Sequence, residues 1–239
     1  TRYSLTISSD DSPATSTTVE VTSDELGTLF YAYQLDGIYR PNYKVEAKDG
    51  NGAIVAIVTF TDSDTTFKNP SVEGLNHNDW SNGERAYSSD NSYATETSED
   101  QDQSYENFGF SIPAGSTIHG IEIRIEAKSS DTAGCQLETR LWSASDNEHS
   151  DRKNTALTGS DVVTTLGSSN DLWGSTWSAT DFTNGNFHVE VQFDDDSGNN
   201  CDNSTVSLDH IQAKVHYTAP APQSDLTATK SHTPASIMV

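Results

Sequence analysis

Nowhere in these 239 residues do apolar side chains recur at helical spacing over several turns. No apolar run reaches the roughly 20 residues that a membrane-crossing helix needs. Helical bundles and helical membrane insertion are therefore excluded as readings. Basic residues are scarce: 13 Lys and Arg stand against 36 Asp and Glu, for a formal charge of −23. A surface of that sign repels phosphate backbones and anionic lipid, which removes nucleic acid and membranes from the expected partners. It suits a saline, crowded or calcium-rich exterior. Hydrophobic residues are only 33 % of the chain. They gather in short alternating runs, so the shortage does not amount to disorder.

Cysteine is nearly missing, with Cys135 and Cys201 the whole complement. There is no Cys-x-x-Cys pair and no Cys/His spacing of a zinc site. An even count in a Ser/Thr-rich chain predicts one disulfide made in an oxidising compartment. It would close a loop of about 65 residues and contribute on the order of 4 kcal/mol. Two separate buried thiols are the alternative. The chain opens at Thr1 with neither Met nor an apolar leader. A processed, exported protein reads this way, and so does a piece of a longer one.

Catalytic signatures are absent too. Ser111 and Ser207 sit in strand patterns without a Gly-x-Ser-x-Gly elbow. Asp209-His210 has no evident nucleophile beside it, and carboxylates are too abundant to single out a glycosidase pair. His119 and His188 fall on polar strand faces and read as surface groups. The expectation is a protein that is not an enzyme.

What is present is strand. Short Val/Ile/Phe/Tyr runs broken by Gly, Asn, Asp and Pro predict an all-β protein. Residues 1–68 read as a small N-terminal β domain. Tyr3, Leu5 and Ile7 alternate with polar residues, Val19 and Val21 mark a second strand, and 27–35 a third. Residues 42–60 read as a hairpin turning at Asp49-Gly-Asn-Gly52. Its second arm is apolar on both faces, which predicts a central strand. Asp62, Ser63 and Asp64 end it.

Residues 69–218 form the second unit, entered through a polar stretch holding Trp80, Tyr87 and Tyr93. A strand is expected at 105–112. Beyond it Ile121, Ile123, Ile125 and Ala127 oppose Glu122, Arg124, Glu126 and Lys128, the alternation of a sheet with one wet face. Phe187, Val189, Val191 and Phe193 follow the same rule. In the last strand Val206 and Leu208 are out of phase with Ile211, Ala213, Val215 and Tyr217, which predicts a bulge at Asp209-His210. Residues 219–239, with three prolines, read as an extended arm.

The runs DWSNGERAYSSDNSYAT, FGFSIPAGSTIHGIEIRIE, DLWGSTWSATDF and SLDHIQAKVHYT, in that order within residues 76–218, resemble a β-sandwich module that recurs in prokaryotic surface proteins and tailed-virus structural proteins. The resemblance implies a jelly-roll-like sandwich, an extracellular or virion location, a role in adhesion or architecture, and no established catalytic residues.

Several residues stand out as candidate sites. Trp173 and Trp177 lie in a loop with Leu172, Gly174, Asp181 and Phe182; the spacing predicts indoles plugged into a core rather than a sugar platform. Trp80, Tyr87 and Tyr93 are less constrained and are the candidate carbohydrate-binding residues. Asp194, Asp196, Asn200 and Asp202 place oxygen donors in one loop, so calcium is the one cofactor the sequence offers a place for. Asn203 begins a glycosylation sequon. Tyr3, Leu5 and Ile7 at one end, and Leu226, Ile237 and Val239 at the other, are candidate assembly anchors. The leading reading is a non-catalytic subunit of an extracellular filament, surface layer or virion appendage, with copies of itself as partners through strand or arm exchange. The alternative is a carbohydrate- or receptor-binding module of a larger surface or tail protein, with a surface glycan as partner.

Overall fold

The computed structural model describes residues 1–11, 14–24, 31, 42–60, 62–131, 135–144, 148–195, 201 and 204–220. The described elements are nearly all strands: β1 (Arg2–Ser9), β2 (Thr15–Thr22), β3 (Tyr43–Lys48), β4 (Ile54–Phe60), β5 (Asp62–Asp64), β6 (Val72–Asn78), β7 (Ala94–Glu96), β8 (Asp102–Glu106), β9 (Thr117–Ser129), β10 (Cys135–Ser143), β11 (Glu148–His149), β12 (Lys153–Ala156), β13 (Val162–Gly167), β14 (Phe187–Asp195) and β15 (Val206–Thr218). Two short 3-10 turns, Gly83–Ala86 and Ala179–Phe182, interrupt them.

The first four strands form an antiparallel sheet in the order β2-β1-β3-β4. Leu5, Ile7, Tyr43 and Ala47 are its buried cluster, with Val19, Val21 and Val45 packed against it. The β3–β4 turn is held by Asp49, whose Oδ1 accepts from the Asn51 and Ala53 amides at 2.9 and 3.0 Å. Two sequence expectations are corrected here. β1 pairs with β2 on one side and β3 on the other, so it has no free edge to donate to a neighbour. Leu5 and Ile7 are spent on the sheet's own cluster. β4, expected at the centre, lies at one edge of the sheet among the described residues; Ile54, Val55, Ile57 and Val58 are each about half exposed. Two apolar faces mark a central strand only when something covers both of them.

The other eleven strands build a sandwich. One sheet runs β11-β10-β14-β8-β6, with β12 also on β10. The other runs β13-β9-β15-β5, with β7 also on β15. Ile121, Ile123, Ile125, Ile211, Ala213 and Val215 of the second sheet and Leu137, Leu141, Val189, Val191 and Phe193 of the first are fully buried in one core. At about 25 cal/mol per Å² of apolar surface, this core is the dominant stabilising term. The expected bulge is real: the β15–β9 register slips between Leu208 and His210. That slip brings both halves of β15 onto the core face. The strand expected at 105–112 instead ends at Glu106, and Phe108, Phe110 and Ile112 pack on the core from irregular chain. β5 pairs with β15, so residues 62–68 join the sandwich rather than the N-terminal unit, and the change of unit falls nearer 61 than 68.

Cys135 and Cys201 are bonded, with Cα atoms 5.3 Å apart and both residues buried. The bond ties the start of β10 to the chain just before β15. The arm beyond residue 220, with Leu226, Ile237 and Val239, lies outside the described residues, as does most of 27–35.

Candidate functional site

The sandwich engages each of the three aromatic residues that the sequence offered for sugar binding. Trp80 is 5 % exposed and its Nε1 donates to the Gln101 carbonyl at 3.0 Å. Tyr87 is half-buried edge-on against Tyr105, ring centroids 6.3 Å apart. Burial and the Glu73, Glu84 and Glu106 carboxylates push its phenol up to about 12. Tyr93 donates to Asp161 at 2.7 Å, and the Lys128 ammonium covers its ring at 3.7 Å. Trp80 is thereby closed to a ligand, a correction, while Tyr87 and Tyr93 stay partly exposed. The other indoles behave as expected. Trp173 is fully buried and donates to the Ile121 carbonyl at 2.9 Å; Trp177 is partly buried against Phe182 and Phe187, at 5.6 and 5.7 Å. Gly167, at φ +77°, leaves the room: a Cβ there would lie 2.7 Å from the Trp173 Nε1. Asp181 receives the Ser178 amide at 2.7 Å and the Ser143 hydroxyl at 3.0 Å, fixing the end of that loop.

The outer face of the six-stranded sheet holds what the motifs did not point to. On β10 the core takes Leu137, Thr139 and Leu141, which turns Glu138, Arg140 and Trp142 outward. On β14 the same parity turns out His188, Glu190 and Gln192. Register then assembles rows across the sheet. Trp142 sits between His149 of β11 and His188 of β14, and His188 sits beside Glu106 of β8. The Trp142 indole stacks on His149 at 6.0 Å and leans on His188 at 4.3 Å. Its N–H has no acceptor among the described residues, so ring contacts rather than a hydrogen bond orient it. The next row pairs Arg140 with Glu190, and the third sets Glu138 beside Gln192 and Asp102.

Arg140 Nε donates to Glu190 at 2.5 Å, and Arg152 bridges Glu138 and Gln192. Together with Thr139 these side chains form a close-packed polar cluster with no space between them for a water molecule. On the far side the chain of β6 lies close over the sheet. A Cβ on Gly74 would stand 2.5 Å from Ser104 Oγ and 3.3 Å from His188 Nδ1, so only glycine fits. This covering explains why His188 and Glu190, on an outward face, are 4 % and 3 % exposed. Reading His188 as a surface group was wrong for that reason. Burial holds its imidazole down at about 4, so it is neutral at pH 7, and burial raises the Glu106 carboxyl beside it.

At the rim of the same face His77 Nδ1 lies 3.1 Å from Asp102 Oδ2 and 4.0 Å from Glu190 Oε2. The three donor atoms all fall within 4.8 Å of one another. Of the loop expected to hold calcium, Asp194 lies at the end of β14 and half-buried, while Asp196, Asn200 and Asp202 lie outside the described residues, as does Asn203. The outward parity of β10 and β14 was legible in the sequence. That β10, β14, β8 and the Gly74 segment lie side by side was not.

No protein-family model matches the chain, and no curated protein sequence matches it. Among solved structures, it is similar to the CBM36-1 domain of a multidomain xylanase from the hindgut metagenome of Trinervitermes trinervoides, at 13 % identity and a TM-score of 0.36, over 64 % of this chain and 96 % of that one. It is also similar to the carbohydrate-binding module CBM36 in complex with calcium and xylotriose, at 14 % identity and a TM-score of 0.29, over 52 % and 78 %. A third likeness is to infectious bursal disease virus, Gx strain, at 12 % identity and a TM-score of 0.25, over 91 % and 56 %. At these identities and TM-scores the likenesses carry no argument about this chain's role.

Proposed function

We propose that the sandwich is a non-catalytic carbohydrate-binding module, and that it engages its glycan on the outer face of the six-stranded sheet around Trp142. The observation that carries this reading is the row His149–Trp142–His188 set beside the Arg140, Glu138, Gln192 and Arg152 network. The partly open Trp142 indole and the exposed His149 imidazole stacked on it offer an apolar surface to the C–H face of a sugar ring, with buried His188 backing the indole. The amide and guanidinium groups next to it offer paired donors and acceptors to ring hydroxyls. The side chains of that network pack against one another with no room between them for a water molecule, so the face holds no enclosed pocket. A face without a pocket suits a polymer lying across it, not a free sugar enclosed by protein. Glu138 and Glu190 are each paired with an arginine. An extracellular setting follows from a glycan ligand and agrees with the buried disulfide.

Calorimetry and pull-down with insoluble xylan, cellulose, galactan and chitin test the reading, with Trp142→Ala as the control. Binding to at least one polymer is expected. The variant should weaken it at least tenfold while unfolding at the parent's denaturant midpoint. Binding unchanged by Trp142→Ala, or no binding to any polymer, overturns the assignment.

A further inference from the structure

We propose that His77, Asp102 and Glu190 form a binding site for a divalent transition-metal ion of the zinc type. The three come from different strands, β6, β8 and β14, and converge at the rim of the sheet face. Their donor atoms lie within 4.8 Å of one another, the His77–Asp102 pair at 3.1 Å and the His77–Glu190 pair at 4.0 Å. Zinc bonds of about 2.0–2.2 Å set neighbouring donors roughly 3.3 Å apart in a tetrahedron. The observed spacings reach that with side-chain shifts of about 1 Å at most.

Three features favour an ion over a plain histidine–carboxylate contact. Glu190 is 3 % exposed; its Oε1 is taken by Arg140, and its Oε2 faces His77 beyond hydrogen-bond length. Asp102 has Oδ2 on His77 and Oδ1 buried without a partner among the described residues, and a buried carboxylate oxygen without a donor costs stability unless a cation or water meets it. His77 is held at φ +60°, a left-handed conformation that a residue with a side chain adopts at a cost. That conformation belongs to the residue whose imidazole reaches both carboxylates.

The donor set selects the ion. One imidazole nitrogen with two carboxylate oxygens suits zinc and its neighbours in the first transition row, whereas calcium takes six to eight oxygens. His77 is 44 % exposed at its side chain, so the ion's remaining positions face solvent. Arg140 lies against Glu190 and opposes a cation, which sets the affinity below that of a closed structural zinc site.

The test uses the protein with the metal alone, so its result does not depend on whether the glycan reading holds. Zinc chloride is titrated calorimetrically at pH 7 into the parent chain, His77→Ala and Asp102→Asn, with calcium chloride as comparator. One zinc per chain is expected, with a rise in melting temperature, a shift of the His77 ring resonances, and calcium weaker than zinc. Each variant should bind zinc at least about tenfold more weakly, as loss of a metal-site group does. His77 is exposed and Asp102→Asn keeps the side-chain shape, so both variants should fold; their circular dichroism and zinc-free melting temperatures check this. Zinc binding that both folded variants retain, a parent that takes up no zinc at millimolar concentration, or calcium bound as tightly as zinc would each overturn the site.

Discussion

Two tryptophans show how much a residue's neighbours decide. Trp173 is buried, hydrogen-bonded through Nε1 and closed in by Gly167; Trp142 is held by two imidazoles and left partly open. Trp173→Ala should therefore cost roughly 3–5 kcal/mol, read as a lower denaturant midpoint, whereas Trp142→Ala should change binding and leave the midpoint alone. His188 gives a pH signature. Its folded pKa, about 4, lies below the ordinary 6.5, because burial disfavours the charged ring. The unfolded chain then binds the extra proton, so the His188 contribution is present above pH 6.5 and is lost as pH falls from 6.5 towards 4, on the order of 3 kcal/mol. His119 and His210, also lowered by burial, act in the same direction. The raised Glu106 carboxyl opposes them at the acid end of the window. Denaturant midpoints from pH 7 to 4.5 should fall, and His188→Asn should flatten that slope; an unchanged slope would count against a buried neutral imidazole.

At the scale of elements, parity within a strand was readable and position within a sheet was not. The alternation in β9 and β14, the bulge in β15 and the Asp49 turn all follow from local side-chain pattern and turn chemistry. β4 was misplaced because an apolar strand looks the same whether a sheet covers it or not. Its exposed Ile54, Val55, Ile57 and Val58, on a strand paired only with β3 among the described residues, make an adhesive edge. Val55→Lys with Ile57→Lys should reduce concentration-dependent association in light scattering while shifting stability little, because these side chains are half exposed. Aggregation that persists unchanged would move the liability to another surface.

For the whole molecule, the formal charge of −23 is the governing quantity. Salt shortens the reach of repulsion to about 8 Å at physiological strength, so the melting temperature should rise between 10 and 150 mM salt. A fall would mean that local pairs such as Arg140–Glu190 and Lys214–Asp64 outweigh the global repulsion. The same charge leaves a neutral glycan's affinity nearly independent of salt, which separates contacts of the Trp142 face from non-specific electrostatic adhesion.

The sequence by itself pointed to the all-β class, the inward residues of most strands, one possible disulfide between the only two cysteines and the burial of Trp173, and the structure bears these out. Each of these is set by neighbours within a few positions or by elimination. Only the tertiary structure decided that β1 is enclosed, that β4 lies at an edge among the described residues, and that Trp80 turns inward. It also decided that Trp142, His149, His188, Arg140, Glu190, Asp102 and His77 share one face. Those residues span more than a hundred positions in the chain. Their meeting depends on strand order and register, which arise from burying two whole sheets against each other and leave no mark in any single stretch of sequence.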